Sequence, residues 1–218
     1  MSRGEPLRVV VLISGEGTNL QALIDAARLE TARYTIVAVL SDRRDARGLE
    51  RAREAGMPAQ HIDPRSCGGR EAFDAALGNA VAAHEPGLIV LAGFMRILGP
   101  VFIARFAGRM LNIHPSLLPK FTGLHTHRRA LEAGEVEHGA TVHFVTNELD
   151  GGPPVIQYRV PVNEPETEET LSARVHTGEH IIFPRAVGWF AEGRLKLEGG
   201  RAMLDGKPLL EPVRIEGQ

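Results

Sequence analysis

Only one cysteine, Cys67, occurs in 218 residues, so no disulfide can close within the chain and a reducing compartment is the simpler setting. Net charge is equally scarce. Twenty-five Lys and Arg against 27 Asp and Glu leave −2, which removes any general electrostatic reason to bind nucleic acid or an anionic membrane, so an anionic ligand must be held locally. Long apolar runs are missing. The run at residues 9–13 is too short for a signal-peptide core or a bilayer span, and no other run is long enough to cross a membrane, which makes a cytoplasmic location the default. No low-complexity or Pro/Ser-rich linker divides the chain, and 43% hydrophobic with 24% charged residues describes an ordinary soluble globular protein, read here as one domain over 1–218.

What is present is an alternation. Residues 1–6 read as a frayed leader. The buried-strand run 9–13 is followed at once by Ser14-Gly15-Glu16-Gly17-Thr18-Asn19 and then by Leu20, Leu23, Ile24 and Ala27 at helical spacing. Strand, glycine turn and helix in that order put backbone N–H groups where they can cradle a phosphate. Further strands are expected at 35–40, 59–62, 87–92 and 109–114, with helices near 48–55, 70–83 and from Pro100. Such regular alternation predicts an α/β fold with a doubly wound, mostly parallel sheet, in which ligands bind beyond the carboxyl ends of the strands. Residues 115–127, broken by Pro115, Pro119 and Gly123, read as a binding loop or lid. Strands are then expected at 140–145 and 154–160. A C-terminal helix capped at Thr167 follows, which Pro184 should bend or interrupt, and then a tail of small β-hairpins over 194–215.

Two fragments make chemical sense together. In Asn112-Ile113-His114-Pro115 the strand alternation points Asn112 and His114 to one face. The second fragment, Gly139-Ala140-Thr141-Val142-His143-Phe144-Val145, runs on to Asp150-Gly151-Gly152. A carboxylate at Asp150 can orient and charge the His114 imidazole, giving an amide and an imidazole aimed at a developing oxyanion. Taken singly, His114 reads equally well as a core histidine and Asp150 as a turn former; their co-occurrence at strand ends favours a site.

Other signals compete. Gly15-x-Gly17 lacks the third glycine of a dinucleotide fingerprint, because Leu20 stands there, although Asp42 with Arg43 and Arg44 follows the second strand as in an NADP site. His176-x-x-Glu179-His180 matches the inverted zinc-protease motif, yet Gly178 and Pro184 make a poor ligand platform. An NADP-dependent oxidoreductase and a zinc hydrolase built on His176 and His180 are therefore the alternatives. His125-x-His127 reads as a solvated pair, and Cys67 as a small loop residue.

The segments 11–21 (VLISGEGTNLQ), 48–53 (GLERAR), 91–98 (LAGFMRIL), 111–120 (LNIHPSLLPK), 123–127 (GLHTH) and 148–153 (ELDGGP) occur in order over nearly the whole chain. In them the sequence resembles the folate-dependent formyltransferases. That resemblance implies a Rossmann-like formyltransferase fold and transfer of a formyl group from 10-formyltetrahydrofolate to the amine of 5′-phosphoribosylglycinamide, a step of purine biosynthesis, without metal. It implies that Asn112, His114 and Asp150 are catalytic. Gly17, Thr18 and Asn19 hold the substrate phosphate and ribose, with Glu179 assisting and His176 at a position where the family usually has glutamine. Arg70, Met95, Arg96, Ile97 and Leu98, with Asn112, contact the folate. Asn147 departs from the acidic residue usual there. A phosphate-binding half over 7–108 and a catalytic and folate-binding half over 109–218 are expected, acting on small molecules as a monomer or homodimer. A tRNA-directed relative would add a C-terminal RNA-binding domain, and a formyltetrahydrofolate hydrolase an N-terminal regulatory one; neither fits this length and charge.

Overall fold

A computed structural model describes residues 5–217; the first four residues of the expected leader lie outside the described residues. The chain divides into two compact units, one ending at Leu111 and the other beginning at Asn112. In the first unit β1 (Leu7–Ile13), β2 (Tyr34–Ser41), β3 (Ala59–His61) and β4 (Leu88–Leu91) lie in the order β4-β1-β2-β3, every pair parallel. Val9 to Ile13 and all four residues of β4 are buried, as continuous apolar strands covered on both faces should be. Crossovers run through α1 (Thr18–Ala27), α2 (Arg47–Glu54) and α3 (Arg70–Ala82), followed by the short α4 (Pro100–Arg105). The α1 face that carries Leu20, Leu23 and Ile24 is the buried one, which is why this spacing forms a helix rather than a loop.

In the second unit the row is β11-β7-β6-β5, made of β5 (Met110–His114), whose last three residues belong here, β6 (Glu137–Phe144), β7 (Pro154–Pro161) and β11 (Val213–Glu216). β6 and β7 are antiparallel, whereas β11 is parallel to β7. The mostly parallel α/β sheet predicted from the alternation is therefore present. A short helix α5 (Thr126–Glu132) follows the loop after β5, and α6 (Glu168–Ala191) packs on β6 and β7. The Thr167 hydroxyl accepts from the Thr170 backbone N–H while the Thr170 side chain returns a bond to the Thr167 backbone, a reciprocal cap that fixes where α6 starts.

Two expectations are met only in part. Pro184 does not interrupt α6: the helix runs through it, with Ile182 and Phe183 on one side and Ala186 and Val187 on the other all buried, so core packing outweighs the lost backbone bond. The tail forms the expected hairpins only as far as residue 208. β8 (Leu195–Glu198), β9 (Arg201–Leu204) and β10 (Lys207–Pro208) form a small antiparallel sheet, but β11 leaves it to satisfy the open edge of β7, from Val213 opposite Ile156 to Glu216 opposite Arg159.

Candidate active site

The glycine turn of the first unit is built by close approach. Gly17 has φ +72°, and a Cβ there would sit 2.6 Å from the Gly48 Cα, while Gly48 donates its N–H to the Gly15 carbonyl at 3.0 Å. Only glycine meets both demands at position 17. The turn opens α1, whose first turn holds no acidic side chain. Ser14 ties the turn to its neighbours: its hydroxyl donates to Asp42 at 2.6 Å and accepts the Met95 N–H at 2.8 Å.

Past the carboxyl end of β4, the expected folate stretch splits. Phe94 and Leu98 are buried core residues, whereas Met95 is 69% and Ile97 59% exposed. Two unpartnered apolar side chains there suit a flat ring better than the core does. Arg70, the first residue of α3, donates to the Leu98 carbonyl at 3.3 Å, and the Arg96 guanidinium lies 4.8 Å over the Phe73 ring.

The second unit brings Asn112, His114 and Asp150 together. Asp150 faces His114 Nδ1 at 3.4 Å, and its Oδ2 also accepts the Gly123 N–H at 2.9 Å; side-chain exposures of 8% for His114 and 10% for Asp150 leave little water to screen the pair. Asp150 reaches this position in the left-handed conformation, φ +53°, at the turn before Gly151. His143, quoted in the fragment above but given no role, completes the group. Its Nδ1 lies 2.9 Å from the Phe144 carbonyl, which can only accept, so Nδ1 carries the hydrogen. Burial pushes His143 down to about 4, so the ring is neutral and its Nε2 lone pair faces the Asn112 amide nitrogen at 3.0 Å. That contact fixes which way round the Asn112 amide stands. Alternation offers His143 as a candidate, since it stands two residues after Thr141 on β6.

His114 Nε2 is not turned to an open space: it donates to the Phe121 carbonyl at 2.9 Å. The loop 115–125 thus covers the pair with one acceptor, Phe121 O, and one donor, Gly123 N–H. Its first part is pinned rather than loose. Thr141 donates to the Ser116 carbonyl and accepts the Leu118 N–H, and Gln157 donates to the Leu118 carbonyl. Leu118-Pro119 is cis. Arg129 of α5 holds the later part through the Thr122 carbonyl at 2.6 Å.

The remaining candidates separate from this group. His127 pairs with His138 at 3.1 Å, so it is not the solvated partner of His125; burial, then the neighbouring His127, pushes His138 down to about 4. His176 Nε2 lies 3.4 Å from buried Glu179. Gly178 owes its place to packing, because a Cβ there would fall 1.8 Å from the Tyr158 ring. Among the described residues no group of three or more His, Cys, Asp and Glu side chains is placed to share a metal ion, so the zinc-motif spacing assembles no ligand set.

An amide, two imidazoles and a carboxylate, with no serine or cysteine nucleophile among them, suit an α/β transferase that passes an acyl group by stabilising an oxyanion. The chain belongs to the formyl transferase family, which matches residues 7–187. It is 53% identical over 203 residues to the phosphoribosylglycinamide formyltransferase of Escherichia coli, covering 93% of this chain and 96% of that one. Among solved structures, the phosphoribosylglycinamide formyltransferase of Coxiella burnetii superposes with a TM-score of 0.93 at 50% identity, covering 97% of this chain and all of that one. The glycinamide ribonucleotide transformylase 1 of Symbiobacterium toebii gives 0.89 at 49% identity, covering 92% and 95%.

Proposed function

We infer that this protein is an enzyme that transfers the formyl group of 10-formyltetrahydrofolate to the amine of 5′-phosphoribosylglycinamide, in purine biosynthesis. The observation that carries the inference is full-length similarity at about half identity to relatives of that name, joined to the Asn112, His114, His143 and Asp150 arrangement. Neither the oxidoreductase nor the zinc-hydrolase alternative has comparable support.

In this reading Asn112 and His114 donate to the formyl oxygen as the substrate amine attacks the formyl carbon. Asp150 balances the imidazolium of His114, and neutral His143 holds the Asn112 amide with its nitrogen turned inward. Nε2 of His114 becomes available once the Phe121 carbonyl withdraws, so movement of the 121–123 segment belongs to the cycle. The new C–N bond forms at the amine and the bond to the folate nitrogen breaks. The amine proton passes through water to that nitrogen, giving the formylated ribonucleotide and tetrahydrofolate. Gly17, Thr18 and Asn19 take the substrate phosphate and ribose, with Glu179 and His176 assigned to the ribonucleotide. Arg70, Met95, Arg96, Ile97 and Leu98, with Asn112, are assigned to the folate, for which the exposed Met95 and Ile97 and the two arginines are a fitting set. None of these roles needs a metal. Among the described residues no helix is long and apolar enough to cross a membrane, and action in the cytoplasm on free small molecules, as a monomer or homodimer, belongs to the same reading.

The test is an absorbance assay of tetrahydrofolate product formation with phosphoribosylglycinamide as acceptor, run with EDTA. Steady turnover is expected; its absence in a folded sample would remove the function.

A further inference from the structure

The segment 48–53 (GLERAR) carries part of the resemblance and has no part in the chemistry above, yet it forms most of α2, and α2 lies against the glycine turn. α2 comes that close because Gly48 has no side chain: a Cβ there would collide with the Ile13 side chain and stand 3.2 Å from the Gly17 Cα. Three contacts run from α2 to the turn. The Gly48 N–H donates to the Gly15 carbonyl at 3.0 Å. Arg51, three residues on and so on the same face of the helix, donates from Nε to the Glu16 carbonyl at 2.8 Å, and its Cδ is 3.5 Å from where a Gly17 Cβ would stand. Arg47 lies 3.6 Å from the Glu16 carboxylate, an exposed pair that adds little.

The bond from Arg51 does more than tether. The Glu16 carbonyl and the Gly17 N–H belong to one planar trans peptide unit, in which they point in opposite directions, so a carbonyl held towards α2 turns the Gly17 N–H away from it. Gly17 is left-handed, φ 72° and ψ 32°, and Thr18 begins α1. With that backbone the N–H groups of Gly17, Thr18 and Asn19 follow one another around a concavity of the kind that takes an oxyanion, and these are the residues assigned above to the substrate phosphate and ribose. Glycine at 17 tolerates either sign of φ, so sterics alone do not stop the 16–17 peptide from flipping and sending its N–H the other way. The guanidinium bond selects one orientation, and its charged donor makes it stronger than a neutral one. We propose that Arg51 is a positioning residue for the ribonucleotide phosphate, acting through the Glu16 carbonyl to aim the Gly17 N–H; the proposal rests on the function inferred above.

Two variants separate the hydrogen bond from the charge. Arg51→Met keeps the length of the side chain as far as Nε and loses the donor, whereas Arg51→Gln puts an amide N–H where Nε stood and loses only the charge. Both are strong helix formers, so each should keep its thermal midpoint within a few degrees. In Arg51→Met, KM for phosphoribosylglycinamide should rise by about 5- to 30-fold, as for one exposed hydrogen bond from a charged group, while kcat and KM for 10-formyltetrahydrofolate stay within about twofold. Arg51→Gln should bring that KM back to within about threefold of wild type. The acceptor without its phosphate, glycinamide riboside, used as a competitive inhibitor, should keep its Ki within about twofold in both variants, because the aimed N–H serves the phosphate. An unchanged ribonucleotide KM in Arg51→Met overturns the proposal alone. So does an Arg51→Gln KM as high as that of Arg51→Met, which would show the guanidinium charge meeting the phosphate itself, and so does a riboside Ki that rises with KM. Absence of turnover in the folded wild type overturns the functional reading and the proposal together.

Discussion

Replacing Asp150 with asparagine keeps the shape of the side chain and removes its charge. The asparagine oxygen can still accept the Gly123 N–H, so the 121–123 segment keeps that anchor. What disappears is the anion 3.4 Å from His114 Nδ1, in a pair whose side chains are 8% and 10% exposed. With an effective dielectric near 20, unit charges at that distance interact by about 5 kcal/mol, which is a ceiling because the amide dipole and residual water replace part of it. A loss of about 3–4 kcal/mol at the transition state corresponds to turnover lower by roughly 100- to 1,000-fold. Because Asp150 does not hold the ribonucleotide in this account, its Kd should stay within about threefold. The measurement is kcat from the folate absorbance assay together with calorimetric binding of phosphoribosylglycinamide to the Asp150→Asn protein. Turnover within tenfold of wild type would refute the charge argument, and a collapse of ribonucleotide affinity with intact kcat would show that Asp150 acts in binding.

Three further outcomes can be checked. Asn112→Ala should lower kcat by about 100- to 1,000-fold, the usual loss for one oxyanion donor, without moving the thermal midpoint by more than a few degrees; near-normal kcat would remove Asn112 from the mechanism. Gly17→Ala, forced into φ +72° and against the Gly48 Cα, should cost about 1–3 kcal/mol in urea unfolding and raise KM for the ribonucleotide, and an unchanged midpoint would contradict the packing. His138 and His143 both sit at about 4 in the folded chain, below the ordinary 6.5, so between those values the unfolded chain binds more protons and stability falls as pH falls. Going from pH 7 to 5 should cost about 2 kcal/mol for each, and His143→Asn should make the slope of unfolding free energy against pH shallower; an identical slope would place its titration elsewhere.

The parts of this protein that were legible in the sequence are those set by local periodicity. The run 9–13 with its glycine turn, and Asn112 with His114 two residues apart on a strand, needed only side-chain alternation and turn chemistry to be placed. What escaped depends on distant backbone. The Phe121 carbonyl that occupies His114 Nε2 and the Phe144 carbonyl that sets the His143 tautomer carry no residue-type signature, since every residue has a carbonyl. β11 reads as a hairpin arm because its local pattern is silent about the open edge of β7. Pro184 looked like a breaker because propensity cannot weigh the buried residues on both sides of it. Met95 and Ile97 could not be told from Phe94 and Leu98 because beyond a strand end no period remains to say which side chain faces out.

The account stands most directly on where the formyl carbon goes. Incubating the protein with 10-formyltetrahydrofolate labelled with ¹³C in the formyl group, together with phosphoribosylglycinamide, and resolving the products by mass spectrometry should place the label on the ribonucleotide amine in step with tetrahydrofolate formation. Label recovered as free formate, or left on the folate by a folded protein, would contradict it.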